Sequence, residues 1–357
     1  MRALGAVALG VLISIGAAAF DSPSLYVPGV ALVLLGAGCW LWVGLAAQGA
    51  GVTRAAGSST VEEEDPYLVR LEVRRGLLPP PGGRLDEPLL ERPLRVRRHS
   101  PARLRVEVSF GRRGHRRLAP ARLVIEDPLG ISVRELFSEP AEVLVLPRVY
   151  PIAGEAAGAL KGLGSEAERL AASAAELELD SLRPYRQGAP ASRIHWPTVA
   201  RTGEMVERKL IADVDLRPLV VVDPRRPPSE EALDQALRAA ASLCVHLAAA
   251  DGCALLLPGD RRPSDIDREL HSWPPLHARL ALVQASDPMP VTARLDRSGA
   301  VFWVAAGAGE APIGLARARA GSRFLVVPEP LRARPPDFSV AGCAVHRVGH
   351  RPTRRAA

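Results

Sequence analysis

Polar and apolar positions divide the chain into three zones. Ala3 to Phe20 is apolar except for Ser14, and Val27 to Ala47 is a second apolar run of membrane-spanning length, with only "DSPSLY" between them. Two such runs joined by so short a link predict a helical hairpin over 1–50. Tyr26, Trp40 and Trp42 stand toward the ends of the second run, where amphipathic rings favour a membrane interface. Beyond an acidic stretch, "SSTVEEED", expected to be a solvated link, the pattern changes to short alternating segments. In "RLRVEVSF", Leu104, Val106, Val108 and Phe110 share one face and Arg103, Arg105, Glu107 and Ser109 the other, which predicts a half-buried antiparallel strand. Leu68, Leu71 and Val73 mark an earlier strand, and 122–126, 132–137 and 142–146 mark later ones. Turns are expected at "GRRGH" and "EDPLG", and an exposed loop at "GLLPPPGGRLDEP". These segments predict a small β-sandwich over 60–152.

Residues 153–180 are rich in Ala, Gly and Glu with few large apolar side chains, so a linker carrying at most a marginal helix is expected. From Leu216 the third zone begins. "LRPLVVVD" is a continuous apolar strand, and 230–250 is a helix with Leu233, Leu237, Ala240, Leu243, Cys244 and Leu247 on one stripe, closed by Gly252. Strands at 253–257, 301–305 and 324–327, helices at 278–285 and 314–320, and a last strand at 344–348 give the alternation of a parallel α/β sheet. The basic tail 351–357 is expected to be disordered.

With 357 residues, 47% of them apolar, the chain has material for two ordinary domains and a short extra module. Its net charge of +7 is carried by arginine, Lys161 and Lys209 being the only lysines. Arg2 and Arg54 flank the apolar pair and the link carries Asp21, so the soluble region is expected on the cytoplasmic side of the plasma membrane. Arg2 before an apolar core that ends in "AAAF" also fits a cleavable signal peptide. Cys39, Cys244, Cys253 and Cys343 have neither metal-ligand nor disulfide-framework spacing.

Candidate chemistry concentrates between Asp180 and Lys209, "DSLRPYRQGAPASRIHWPTVARTGEMVERK". Arginines beside Tyr185 and Trp196 would suit a nucleic-acid stacking platform, but Ile194 and Val199 are interleaved, Glu204 and Glu207 follow, and the chain has an apolar anchor. Nucleic acid is therefore not expected as a partner. The sequence has no zinc-protease helix motif, nucleophile elbow or phosphate-cradling loop. "AGAGEAPIG" spaces Gly307 and Gly309 like a dinucleotide fingerprint, yet Pro312 takes the third position, so no cofactor is expected. His195, the one histidine of the cluster, leaves open a hydrolase using it with a nearby carboxylate.

The stretch "LRPYRQGAPASRIHWPTVARTGEMVER" resembles the signature of the domain of unknown function 58 family through Leu182, Arg183, Tyr185, Gly188, Arg193, Ile194, Trp196, Ala200, Arg201 and Thr202. "RRGHRRLAPARLVIEDPLGI" and "VLPRVYPI" resemble the same family upstream, so the likeness extends over nearly the whole chain. Ala189 stands where the family has an acid and His115 where it has a tyrosine. The resemblance implies that 181–350 combines the signature with an α/β domain similar to von Willebrand factor A, of Rossmann type. The metal-binding form of that domain carries Asp-x-Ser-x-Ser. Here "DPRRP" keeps Asp223 and replaces the serines with Arg225 and Pro227, too few oxygen ligands for a hard cation.

The resemblance further implies a membrane-tethered scaffold or adaptor without chemistry of its own. Its expected partners are a MoxR-type AAA+ ATPase, a membrane-anchored transglutaminase-like protein and the lipid bilayer. Two roles for the signature stay open. In one it is a buried hub, with Trp196 as anchor and Arg183, Arg193 and Arg201 on carbonyls and acids such as Glu176, Glu178, Asp180 and Glu204. In the other it is a docking surface.

Overall fold

The computed structural model describes residues 2–55, 57–90, 92–96, 103–162, 182–185, 194–208, 217–290, 299–307, 312–318, 320, 322–331 and 335–349. Two compact units divide at Val145 and Leu146.

The first unit starts with helices α1 (Arg2–Ala19) and α2 (Pro23–Ala47), both long and apolar enough to cross a membrane. Proline at the start of α2 costs no hydrogen bond, because the first amides of a helix have no intrahelical acceptor. Small residues let the two backbones touch: a Cβ on Gly10 would lie 2.6 Å from the Gly29 carbonyl oxygen, and one on Gly36 3.0 Å from that of Ala3. The outward faces stay apolar, Leu12 and Val27 being 70% and 73% exposed.

Ten strands complete the first unit: β1 (Gly51–Ala55), β2 (Thr60–Glu62), β3 (Pro66–Arg74), β4 (Gly83–Asp86), β5 (Leu94–Arg95), β6 (Arg103–Ser109), β7 (Gly114–Leu118), β8 (Arg122–Glu126), β9 (Val133–Phe137) and β10 (Ala141–Leu146). They form sheets ordered β1-β3-β6, β2-β10-β7 and β5-β4-β8-β9 around one apolar core. The period-2 pattern sets the register: Tyr67, Val69 and Leu71 of β3 face inward and pair with Val108, Val106 and Leu104 of β6. In the "EDPLG" turn, Asp127 accepts the Leu129 amide at 2.8 Å and also that of Ser132.

Two expectations are corrected here. The acidic "SSTVEEED" is not a solvated link, since Thr60–Glu62 is a strand and buried Glu63 accepts the Arg113 amide at 2.8 Å. Arg54 is not a free flanking charge either. It lies in β1 with its guanidinium 2.6 Å from Glu87, both side chains buried, and it also donates to the Ala119 carbonyl at 2.7 Å. Sequence patterning sees charge, while burial depends on strands that pair far along the chain.

The second unit contains a helix α3 over 154–162, β11 (Leu182–Pro184), α4 (Trp196–Thr202), β12 (Val206–Arg208), β13 (Leu219–Asp223), α5 (Glu230–Asp251), β14 (Cys253–Leu256), β15 (Ser264–Ile266), α6 (Trp273–Ala281), β16 (Ala300–Ala305), α7 (Ile313–Arg317), β17 (Ser322–Val327), β18 (Phe338–Val340) and β19 (Cys343–Arg347). Seven strands make one sheet in the order β15-β14-β13-β16-β17-β19-β18. Its centre, β14-β13-β16-β17, is parallel, and the edge pairings are antiparallel. The sheet is mixed, not purely parallel.

All five residues of β13 are buried, which is why its sequence is continuously apolar. Val220, Val222, Phe302 and Val304 pack with α5 and α6 on one face, while Leu219, Val221, Val301 and Trp303 pack with Leu315 of α7 on the other. Helix α5 opens on Ser229, whose hydroxyl accepts the Ala232 amide at 3.1 Å, and closes at Gly252 with φ 81°. The helix expected at 278–285 begins earlier, because Pro274 and Pro275 suit a first turn and the chain leaves the helix after Leu282. Ala156 and Leu160 of α3 belong to the core, so this part of the expected linker is structural. Residues 163–180 and the tail 351–357 lie outside the described residues.

Candidate functional site

Two places collect the chemistry-bearing residues of the second unit, and the first is the signature stretch. Strands β11 and β12 pair antiparallel, Leu182 opposite Arg208 and Pro184 opposite Val206, and the ladder continues through the Tyr185 amide to the Met205 carbonyl at 2.9 Å. The His195 amide donates to the Val206 carbonyl at 3.0 Å, fixing the entrance to α4. His195 is the N-cap, with Nδ1 2.7 Å from the Thr198 hydroxyl. Proline follows Trp196 in the first turn. Gly203, at φ 74°, ends the helix by donating its amide to the Val199 carbonyl at 2.9 Å. The Thr202 hydroxyl caps back onto the Thr198 carbonyl at 2.9 Å.

This local geometry turns the helix outward. Ile194, just before it, is buried, while no residue of α4 is. Trp196 is 60% exposed and Met205 53% exposed, and Ala200, Arg201 and Thr202 are exposed beside them. Of the two roles left open for the signature, the buried-anchor one does not fit Trp196: the single extended residue Ile194 takes the inward place, and the turn into α4 sends the next large side chain to solvent. Gly188 and Arg193 lie outside the described residues, as does the side chain of Arg183. Half-buried His195 has a hydroxyl neighbour three residues away, Thr198, and among the described residues no carboxylate bonds to its ring. A hydrolytic dyad needs the base oriented by a further group, and the Thr198 contact alone does not supply one.

The second place is the carboxyl end of the parallel strands. The chain runs from β13 to β14 on one side and then crosses to β16 on the other. Asp223 therefore ends β13 at a topological switch point, where open α/β sheets bind ligands. Its buried carboxylate is gripped by Arg225, Nε to Oδ1 at 2.8 Å and Nη2 to Oδ2 at 2.9 Å. The hydrogen bond to Asp223 is the main cause that raises the Arg225 pKa above its ordinary value. The Ala306 amide donates to the Asp223 carbonyl at 2.9 Å, and a Cβ on Gly307 would come within 2.8 Å of the Arg225 carbonyl. The loops close on one another. A guanidinium thus occupies the face of the carboxylate from which a cation would be held.

One cluster escaped sequence reasoning. Ligand atoms of Asp267, Glu269 and His271 lie within 4.8 Å of one another. Asp267 already accepts from His271 Nδ1 at 2.7 Å and from the Ser272 hydroxyl at 3.0 Å, and the His271 contact is the main cause holding its carboxyl below the usual range. A D-x-E-x-H spacing was the available signal, and the turn satisfies itself internally.

Compared with known proteins, the chain matches no family model and no curated protein.

Proposed function

We propose that the protein is a membrane-anchored scaffold or adaptor whose α4 element docks a partner, and that it carries no chemistry of its own. The observation that carries this reading is that Trp196 and Met205 are both exposed on a backbone-braced element closed by Gly203. Aromatic and methionine side chains are enriched at interfaces, and holding Trp196 rigidly in water serves no purpose within the fold.

The resemblance to the domain of unknown function 58 family supplies the partner class: a MoxR-type AAA+ ATPase, with a membrane-anchored transglutaminase-like protein in the same assembly. A fold similar to von Willebrand factor A is supported by the parallel centre β14-β13-β16-β17 with Asp223 at its switch point. The Arg225 clamp supports reading that site as one that has exchanged a metal for an internal cation. The apolar faces of α1 and α2 support a bilayer hairpin. Arg54 is consumed in a buried pair, so the cytoplasmic orientation rests on Arg2, on Arg74 at the end of β3 and on Arg75 after it.

The test uses purified full-length chain with purified MoxR-type ATPase. Trp196→Ala should melt like the parent, since exposed substitutions typically stay within about 0.5 kcal/mol. Its affinity for the ATPase should fall roughly thirtyfold, the effect of an interface hot spot of about 2 kcal/mol. Unchanged affinity overturns docking at α4, and a strongly lowered melting temperature returns Trp196 to the hub reading.

A further inference from the structure

Close packing fixes the depth at which α1 and α2 meet. Gly36 fits between the Ala3 carbonyl and the Val7 amide, and Gly10 between the Gly29 carbonyl and the Val33 amide, an antiparallel register that puts Arg2 about level with Cys39. The paired length is that of α1, 18 residues, about 27 Å at 1.5 Å per residue and close to the ~30 Å hydrocarbon core of a bilayer. Residues 40–47 of α2 project beyond it without a break in the helix, and there Val43 and Ala46 are buried in the core of the β-sheets with Val52 and Val69. One rigid element thus runs from the paired helices into the β core.

Two loops of the first unit come down toward the level of Cys39. Helix α2 packs against β8 and β9, and in the turn between those strands Asp127 lies beside the Cys39 thiol. Asp127 is buried and accepts the amides of Leu129, at 2.8 Å, and Ser132. Its charge is met inside the turn, while Leu129 is 61% exposed. After β3, Gly76 lies against the last turn of α2, where an added Cβ would strike the Ala46 carbonyl. The Leu77 amide donates to the Gln48 carbonyl at 3.0 Å, and the Trp42 indole to the Pro79 carbonyl at 3.3 Å. Helical side chains lean toward the helix N-terminus, so the indole contact carries this loop, with exposed Leu78, toward the paired helices.

Exposed Trp40, Trp42, Leu78 and Leu129 are thereby gathered near the level where the helix pair ends. Indoles favour the headgroup level of a bilayer, and large apolar side chains gathered in water mark a surface that something covers. We propose that this end of the β unit sits in the interfacial zone of the bilayer, Leu78 and Leu129 immersed beside Trp40 and Trp42, so that the sheets are held against the membrane face in one orientation. The inference rests on the membrane-anchor reading. Lipid is the occupant because the patch adjoins the end of a helix pair whose outer faces are themselves apolar.

The experiment places an environment-sensitive fluorophore at Leu78→Cys, Leu129→Cys or Phe137→Cys in the full-length chain carrying Cys39→Ser, which keeps a donor for Asp127; Cys244, Cys253 and Cys343 are buried. All three labelled positions are exposed, so the substitutions should leave folding intact, and Leu129→Cys retains the amide that Asp127 accepts. The labelled chain is reconstituted in phosphatidylcholine vesicles with or without a nitroxide on the acyl carbons nearest the headgroup. Interfacial residues lie about 5–10 Å into the headgroup boundary, so labels at 78 and 129 should be quenched roughly threefold more than the label at 137. Phe137 stands opposite Arg122, at the end of β9 away from the Asp127 turn. Equal quenching at the three positions overturns the proposal. So does a label at 78 or 129 that is shielded from aqueous iodide and yet escapes the lipid nitroxide, because protein, such as a second copy of the chain, would then cover the patch. Alkaline extraction of the same membranes separates the two readings: a chain that stays in the pellet with unquenched labels sinks the interfacial placement alone, whereas a chain that washes off sinks the anchor.

Discussion

Arg54 and Glu87 in the first unit are 33 positions apart and meet with both side chains buried, whereas Arg225 and Asp223 in the second are two apart and the guanidinium is 41% exposed. The chemistry is the same, but the dependence on the fold is not. The first pair exists only once β1 has entered its sheet and the turn after β4 has closed, and it then lies among the carbonyls of Leu118 and Ala119. The second is made by any chain that turns tightly after β13. The Arg54–Glu87 pair therefore reports on tertiary structure, and the Arg225–Asp223 pair on local geometry.

The sharpest way to break this contrast is Glu87→Ala. It strands Arg54 in a dry site, and removing one member of a buried pair typically costs about 3–5 kcal/mol. Thermal unfolding of the solubilised protein should show a large loss, recovered when Arg54→Met is added. If Glu87→Ala melts like the parent, the pair is not closed to water and the contrast fails.

A second measurement sharpens it within the α/β unit, where His277 is buried, stacked on Trp273 at 4.6 Å, and donates from Nε2–H to the Pro147 carbonyl at 2.8 Å. Burial pushes its pKa below the ordinary 6.5, outweighing the Pro147 contact that raises it. As pH falls through 6.5 the unfolded chain takes up a proton that the folded chain resists, so stability is full above that pH and declines below it. His277→Gln should flatten the decline seen in denaturant titrations between pH 7 and pH 5, and an equally steep profile in the variant would assign the acid sensitivity elsewhere.

The smallest expected effect is Asp223→Ala. Its partner Arg225 is partly in water and can rehydrate, so the loss should be within about 1 kcal/mol. Magnesium added to the parent should leave the melting temperature unchanged, because a ligand bound only by the folded state would raise it. A loss as large as that of Glu87→Ala would show the two pairs to be equivalent.

Much of the fold was legible. The two apolar runs became α1 and α2, the "RLRVEVSF" alternation became β6, and the 230–250 stripe with Gly252 became α5 closed by a glycine at positive φ. The reason is local: hydrophobic period and end signals act within a few residues. Strands β2, β4, β5, β15 and β18 were not legible, being two to four residues long, too short for a period to show. At the candidate site, sequence singled out Ile194, Trp196 and Asp223 as special residues. It left open whether Trp196 is a buried anchor or an exposed one, because a lone tryptophan carries no periodic partner to say which way it faces.

By itself, then, the sequence determined where the chain is apolar enough for paired helices, where it alternates, and where it runs continuously apolar into a sheet covered on both faces. Tertiary structure decided which charges left water: Glu63, in a stretch expected to be solvated, and the side chain of Arg54, expected to flank the apolar pair, are buried, while Asp223 keeps a partner it carries two residues away. It also decided that "GLLPPP", a loop by composition, lies against the end of α2. Burial is a property of surfaces brought together from distant positions, and the free energy of a charge or an indole depends on that surrounding and not on its neighbours in sequence.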